Sequence, residues 1–276
     1  MLEKIQSYFE FTRMPYGRDL APGMLFTSTD HTQAAARIAY GIDTRGITVV
    51  TGEVGVGKTA AARAAVHHTE TARHHLIYIA DPTAGARGIY HQIVAALGGR
   101  PAFYTAVLVP QARDALAAEH AERGRVPILL IDEAHLITHD GLEALRLLTN
   151  HDLDTTSPFA TVLLGQPTLL TRMRLGTLAA LEQRITVRRH MTGMTPTETA
   201  DYVRHHLRLA GRSDPLFTDD AISLIHTTGR GKPRAVNRLA LAALIATCAA
   251  GKTLVDEASA RSAVTETTHD PQPTTP

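Results

Sequence analysis

The strongest constraint on the fold is an eight-residue segment that fits the pattern G-x-x-x-x-G-K-[ST], namely Gly52-Glu53-Val54-Gly55-Val56-Gly57-Lys58-Thr59. Glycines let the backbone wrap closely enough to point successive N–H groups at a β-phosphate, and a following helix adds its positive N-terminus. Lys58 is then expected against the β- and γ-phosphates, and the Thr59 hydroxyl against a magnesium ion. Residues 46–51 predict a buried strand before the loop, and residues 60–67 an alanine-rich helix after it.

This context separates the segment from a chance match in a glycine-containing turn. A second Gly-Lys-Thr sequence, at residues 251–253, lacks the first glycine and follows a predicted helix, so we expect it to bind nothing. We assign the predicted ATP contacts to the loop and the residue after it, which are Gly52, Glu53, Val54, Gly55, Val56, Gly57, Lys58, Thr59 and Ala60.

Composition limits what the chain can be. Its 276 residues are 44% hydrophobic and 20% charged, which allows one large domain or a core domain with a small appendage. The net charge of +1 means that any nucleic-acid binding must come from a local patch. The single cysteine, Cys248, excludes an internal disulfide, and its apolar setting predicts a buried thiol. We see no secretory signal and no apolar run long enough to span a bilayer, so we expect a cytoplasmic protein with no membrane partner.

Strand and helix patterns alternate from residue 46 onward, which predicts a parallel sheet with helices on both faces. Further strands are predicted at residues 76–80, 128–131 and 160–164, and helices at 31–40, 87–97, 110–123 and 141–149. Only helices are predicted later, at 196–211, 218–228, 233–250 and 256–264, the first opened by a Thr195-Pro196-Thr197-Glu198 capping signal. We therefore divide the chain into an N-terminal approach segment (1–44), an α/β nucleotide-binding core (45–191), a helical lid (192–266) and a disordered tail (267–276).

Two adjacent carboxylates, Asp132 and Glu133, follow the apolar residues 128–131. Beside a phosphate loop, Asp132 can hold magnesium together with Thr59, and Glu133 can orient and polarise the attacking water. The alternative is an ordinary acidic turn after a core strand. His135 has two possible interpretations: it links the nucleotide state to a partner surface, or it is an exposed or capping histidine.

These motifs, with three later segments, occur in the same order in AAA+ ATPases, which the chain resembles from about residue 8 to about residue 264. The three later segments are Leu164-Gly165-Gln166-Pro167, Leu181-Glu182-Gln183-Arg184-Ile185 and Gly231-Lys232-Pro233-Arg234. The detailed sequence resembles the ExeA/GspA-like branch, which also contains transposition helper ATPases of the TniB, TnsC and MuB kind. The resemblance implies a P-loop NTPase with an αβα parallel-sheet core, followed by a small all-helical lid.

The resemblance also implies catalytic roles for three residues besides Glu133 and Lys58. Gln166 matches a polar sensor of the γ-phosphate or the lytic water. Arg184 matches the arginine finger that reaches the ATP site of a neighbouring subunit. Arg234 matches a second sensor, which contacts the γ-phosphate from within its own subunit. For both arginines an ordinary surface salt bridge is the alternative, and the arginines close enough in sequence to compete with Arg184 are Arg172, Arg174, Arg188 and Arg189.

A finger supplied in trans makes ATP binding and assembly mutually dependent, so the resemblance implies an ATP-dependent homo-oligomer. We favour a transposition accessory that assembles on duplex DNA and presents the target to a transposase. A secretion-associated ATPase and a DNA loader or motor are the alternatives. Envelope members of the branch carry a membrane span, which counts against secretion here.

Candidate DNA contacts form two groups, and a solvated helix face is the alternative for each. Thr83, Arg87 and Arg100 flank the helix after the second predicted strand. The other group, on the predicted lid, is Arg204-His205-His206-Leu207-Arg208 with Arg212. Contacts of this type with phosphates are independent of sequence and sensitive to salt. The paired histidines of the chain are adjacent in sequence and do not converge on one helix face, so we expect no zinc site.

Overall fold

The computed structural model describes residues 2–17, 20–67, 69–70, 72–149 and 157–268, and within them the chain forms two compact units. The sheet unit contains residues 31–54 and 58–191. The helical unit contains the chain up to residue 30, the loop residues 55–57 and the chain from residue 192 onward. Within the described ranges, no helix combines the length and the apolar character that crossing a membrane requires.

The sheet unit is built on a five-stranded sheet with the order β2-β3-β4-β1-β5, in which every pairing is parallel. The strands are β1 (Ile47–Gly52), β2 (His74–Ile79), β3 (Val126–Ile131), β4 (Ala160–Gly165) and β5 (Ile185–Met191). Strands β1 and β4 are buried at every position. Strands covered on both faces are continuous apolar runs, which is why the sequence predicts these elements so directly.

Helices connect the strands of the sheet unit, and further helices form the helical unit. In chain order they are α1 (Leu2–Tyr8), α2 (Thr29–Asp43), α3 (Lys58–His67), α4 (Gly85–Ala96), α5 (Thr105–Ala121), α6 (His139–Leu148), α7 (Thr168–Met173), α8 (Ala179–Glu182), α9 (Pro196–Leu209), α10 (Asp219–Gly229), α11 (Pro233–Ala249) and α12 (Glu257–Thr268). The predicted cap of α9 is a complete capping box, since Thr195 Oγ1 accepts from Glu198 N at 3.2 Å and Glu198 Oε2 accepts from Thr195 N at 2.9 Å.

Five elements differ from the sequence prediction, among them the short helices α7 and α8, which were not predicted. Strand β5 was not predicted, because it pairs only with β1 at the sheet edge and alternates buried with exposed polar residues instead of being continuously apolar. Helix α1 was not predicted either. Helix α5 starts at Thr105 rather than Pro110, so Pro110 lies inside it. Pro110 is the sixth residue of this helix and has no N–H to donate to the carbonyl four residues back, so one helical hydrogen bond is lost there.

Each unit has its own apolar core. The core of the sheet unit is formed by strand residues such as Ile79, Ile131 and Leu163 together with the inner faces of α4, α5 and α6. In the helical unit, Phe9 from the N-terminal residues packs with Leu207 and other residues of α9 to α12. Residues 2–17 and 20–30 thus belong structurally with the helices that follow residue 192, although we treated residues 1–44 as one approach segment.

Two smaller expectations concern the C-terminal part of the chain. Cys248, expected to be buried, is only half-buried, although it packs against the core of the helical unit. Of the tail expected to be disordered, residues 267 and 268 close α12, and residues 269–276 lie outside the described residues.

Candidate nucleotide-binding site

The phosphate loop connects β1, which ends at Gly52, to α3, which begins at Lys58. Gly55 and Gly57 have φ angles of +82° and +104°, which side chains on L-residues rarely adopt. A Cβ on Gly55 would also lie 2.8 Å from Arg234 Cβ, whereas a Cβ on Gly57 would meet nothing within 4 Å. The two glycines are therefore required for the backbone path of the loop, and Gly55 for close approach as well.

Lys58 is buried, with 8% of its surface exposed. Its Nζ donates to Gly52 O at 2.9 Å and to Glu53 O at 3.0 Å, so the side chain folds back along the loop instead of extending into solvent. These two carbonyls hold the ammonium group beside the loop backbone, where the motif predicts that the phosphates bind. The position suits a cation that offsets phosphate charge.

Thr59 and Asp132, which lie 73 positions apart in sequence, meet in the structure, with Thr59 Oγ1 donating to Asp132 Oδ2 at 2.8 Å. The other carboxylate oxygen, Asp132 Oδ1, accepts from Glu133 N at 2.9 Å, which fixes its orientation. Mg²⁺ binds oxygens at about 2.1 Å in octahedral geometry, so two adjacent ligands lie roughly 3 Å apart. The hydroxyl and the carboxylate therefore fit a shared magnesium ion in both chemistry and separation.

Tyr78 is a neighbour of this pair that the sequence did not indicate. Its hydroxyl donates to Asp132 Oδ2 at 3.4 Å from the adjacent strand, β2. Partial burial, followed by the nearby carboxylates of Asp132 and Glu133, raises the pKa of Tyr78. The pairing of β2 with β3 in parallel register is the signal that could have found it, and strand order is not visible in the sequence.

Glu133 has a left-handed backbone, with φ 48° and ψ 34°, although it carries a side chain. This conformation is uncommon outside glycine and is concentrated at functional sites. Its side chain is 48% exposed, and Oε2 lies 3.4 Å from His135 Nδ1. The carboxylate therefore remains accessible to water, as a group that orients an attacking water must be.

His135 connects Glu133 to Gln166. The His135 side chain is 13% exposed, and its Nε2 lies 2.9 Å from Gln166 Nε2. Gln166 follows β4, which is paired with β3. In the structure, His135 therefore lies between Gln166, the predicted sensor, and the acidic pair. The sequence did not decide the role of this histidine.

The arginines near the predicted finger have different surroundings. Arg184 is half-buried and its Nη1 donates to Thr149 Oγ1 at 3.1 Å. Arg172 is committed to the turn after β3, because it donates to His135 O and Ile137 O, each at 2.6 Å. Arg188 pairs with Glu182 at 3.2 Å. Arg174 is exposed and Arg189 is half-buried.

Arg234 lies in the first turn of α11, in the helical unit together with Gly55. Its backbone N donates to Gly55 O at 3.3 Å, so this turn touches the tip of the phosphate loop. The side chain is exposed and makes no ion pair with any residue that the structure describes.

The two groups of candidate DNA contacts are unequal. In the helical unit, Arg204 pairs with Asp201 at 3.2 Å, and Arg212 pairs with Asp214. His206 is buried, with 3% of its surface exposed. The predicted basic cluster there is therefore partly neutralised and partly buried, with Arg208 exposed. In the sheet unit, Thr83, Arg87 and Arg100 are exposed.

Comparison with known proteins bears on the family of the chain. An AAA domain family model matches residues 42–173. The chain is 34% identical over 247 residues to general secretion pathway protein A of Aeromonas hydrophila, a match that covers 88% of this chain. The chain spans only 45% of the length of that relative.

Solved structures show a similar fold at low identity. The Aeropyrum pernix ORC2 protein in its ADPNP–ADP complexes matches with a TM-score of 0.67 at 17% identity, over 91% of this chain and 71% of that chain. The Aeropyrum pernix ORC1 protein in complex with DNA matches with a TM-score of 0.67 at 15% identity, over 88% of this chain and 67% of that chain. The predicted P-loop NTPase fold, a parallel-sheet core followed by helices, is confirmed. The AAA domain and the 34% identity over most of the chain support an ExeA/GspA-like AAA+ protein.

Proposed function

We propose that the chain binds ATP with magnesium and hydrolyses it. The observation that carries the proposal is the 2.8 Å contact between Thr59 and Asp132 at the end of the phosphate loop. The relationship to general secretion pathway protein A and the ADPNP–ADP complexes of a structurally similar protein support nucleotide binding.

Each residue of the site has a distinct proposed role. Lys58 and the loop N–H groups offset the charge of the phosphates, and Thr59 with Asp132 holds magnesium, which supplies further charge neutralisation. Glu133 orients and polarises the attacking water. Gln166 senses the γ-phosphate or that water, and Arg234 contacts the γ-phosphate.

Substitution of the loop lysine tests this proposal. Lys58→Ala should abolish ATP binding measured by calorimetry, because the loop loses its cation. Lys252→Ala is a matched control, since Lys252 also stands in a Gly-Lys-Thr sequence but pairs with Asp256 at 2.7 Å. Normal ATP affinity of Lys58→Ala, or loss of affinity in Lys252→Ala, would contradict the assignment of the site.

We further propose that ATP promotes a homo-oligomer in which Arg184 of one subunit acts at the ATP site of the next. Arg184 is half-buried and its Nη1 donates to the neutral hydroxyl of Thr149, a contact that can be exchanged for one to a charged phosphate. By linkage, ATP then stabilises the oligomer, and hydrolysis weakens it.

For the biological role, we propose a transposition accessory that assembles on duplex DNA and presents it to a transposase. Support comes from the sequence resemblance to the TniB, TnsC and MuB helpers and from a structurally similar protein solved in complex with DNA. A secretion-associated role is the second candidate, because the curated relative is a general secretion pathway protein. A DNA loader or motor is the third, since Thermotoga maritima RuvB, a branch migration motor, has a similar fold.

Binding to duplex DNA with and without a non-hydrolysable ATP analogue separates these candidates. The transposition and motor roles predict DNA binding that the analogue strengthens, because the assembled state grips DNA at many points. A strand-transfer assay with a candidate transposase then distinguishes the two. Absence of DNA binding in every nucleotide state would favour the secretion role.

A further inference from the structure

Two adjacent aromatic residues on the turn between α4 and α5 are exposed to solvent. Phe103 is 78% exposed and Tyr104 is 72% exposed, the highest values for large hydrophobic side chains among the described residues. Single exposed hydrophobic residues are ordinary on protein surfaces. An adjacent pair at the tip of a turn is less ordinary and points to a contact surface.

Hydrogen bonds tie the turn to both flanking helices. Gln111, from α5, accepts from Ala102 N at 2.9 Å and donates to Arg100 O at 2.9 Å. Arg87, from α4, donates to Phe103 O at 3.1 Å, and its guanidinium lies 5.6 Å from the centre of the Phe103 ring. The two rings meet edge to face, with centroids 5.3 Å apart. Pre-ordered aromatic side chains lose little entropy when a partner binds.

The charge around this turn has one sign. Between Asp81 and Asp114, which are both exposed, the charged residues are Arg87, Arg100 and Arg113. All three arginines are exposed. Several other arginines pair with acidic residues, among them Arg204 with Asp201 and Arg188 with Glu182, and the overall charge is only +1. The surface of α4, the turn and the start of α5 is therefore a local basic patch on a nearly neutral protein.

We propose that the Phe103–Tyr104 turn contacts DNA, with Arg87 and Arg100 on phosphates and the aromatic rings against the bases. Arginine supplies the charge that phosphates attract, and aromatic rings stack on bases or wedge into a base step. The two arginines nearest the turn, Arg87 and Arg100, are both exposed, and such a locally basic surface favours a polyanion. This inference rests on the proposed DNA-linked function and names the surface that carries it.

Four variants test the inference by fluorescence anisotropy with labelled duplex DNA and a non-hydrolysable ATP analogue. The double substitution Phe103→Ala with Tyr104→Ala should weaken binding about tenfold or more, with little change in the salt dependence, because stacking is not ionic. Arg100→Ala should weaken binding and lower the slope of log affinity against log salt by about one. Tyr40→Ala and Arg37→Ala, on the exposed face of α2, are matched controls and should bind normally.

A second measurement reports on the bases directly. Duplex DNA with 2-aminopurine should brighten when the wild-type chain unstacks a base step, and the double variant should lose this signal. All variants should keep wild-type ATP affinity, which shows that they fold.

Three results would overturn the inference in distinguishable ways. No DNA binding by the wild-type chain would contradict the DNA-linked function and this inference together. Normal binding by the double variant, with wild-type salt dependence, would remove the turn alone. Normal DNA binding combined with a changed oligomer mass would assign the turn to self-association, along the shallow groove of α5 lined by Val107, Pro110, Gln111, Asp114, Ala115 and Ala118.

Discussion

The side-chain amide of Gln166 lies 2.9 Å from His135 Nε2, and the other ring nitrogen of His135 lies 3.4 Å from the Glu133 carboxylate. The histidine therefore connects the end of β4 to the acidic pair after β3. Arg172 fixes the backbone of this turn by donating to His135 O and Ile137 O. His135 thus lies between the two residues, within 2.9 Å of the Gln166 amide and 3.4 Å of the Glu133 carboxylate.

His135→Ala should lower the rate of ATP hydrolysis by about tenfold and leave ATP affinity unchanged, because Glu133 loses a polar neighbour 3.4 Å from its carboxylate while the phosphate loop stays intact. Phosphate release and calorimetry measure the two quantities. His139→Ala, at an exposed histidine in the first turn of α6, is the control. Equal rates for His135→Ala and the wild-type chain would show that the contact has no catalytic consequence.

Glu133→Gln should retain ATP and lose turnover by about 10² or more, since Asp132 still holds magnesium and the water is no longer polarised. The variant should also form longer-lived oligomers in ATP, measured by light scattering. If hydrolysis continued at the normal rate, the catalytic role would pass to another residue, with Gln166 and His135 the nearest.

Arg184→Ala should bind ATP with nearly normal affinity but hydrolyse it about 10³-fold more slowly, the scale of a withdrawn arginine finger. Mixing it with Lys58→Ala protein should restore part of the activity, because some junctions then pair an intact loop with an intact finger. Arg188→Ala is the control, as Arg188 already pairs with Glu182. Failure of rescue with both variants folded would point to Arg174 or Arg189, and lost ATP binding would place Arg184 in its own subunit's site.

Gly55→Ala should lower both stability and ATP affinity. Alanine at φ +82° costs about 1 kcal/mol or more, and its Cβ would also press on Arg234. Gly98→Ala is a matched control, because Gly98 has φ +81° and nothing within 4 Å of the added Cβ. Thermal unfolding should show a loss in both variants, whereas calorimetry should show weaker ATP binding only in Gly55→Ala. Unchanged affinity in Gly55→Ala would mean that the loop tolerates the strain.

The free energy of unfolding should fall as the pH drops from about 6.5 toward 4. Burial, followed by the nearby His205 and Arg13, lowers the pKa of His206 to about 4. The unfolded chain, with an ordinary histidine pKa of about 6.5, therefore takes up the proton first, and up to about 3 kcal/mol is lost across this window. Chemical denaturation at several pH values measures the loss. His206→Gln should flatten the dependence, and an unchanged slope would assign it to other groups.

How well the sequence predicts each strand depends on the position of that strand in the sheet. Strands β1, β3 and β4 were predicted to within a few residues, because they are buried on both faces and are continuous apolar runs. The edge strand β5 carries Arg188, Arg189 and His190 in a row and was missed. Its pairing partner, not its own composition, makes it a strand.

The sequence by itself determined the phosphate loop and the acidic pair, because each is a run of adjacent residues that sets its own backbone path. Only the tertiary structure decided which distant groups meet: Thr59 with Asp132, Tyr78 with Asp132, and Gln166 with His135. These contacts depend on the order β2-β3-β4-β1-β5 and on strand register, which bring the carboxyl ends of β1, β3 and β4 together. Many strand orders satisfy one hydrophobic pattern, so packing of the whole chain selects among them.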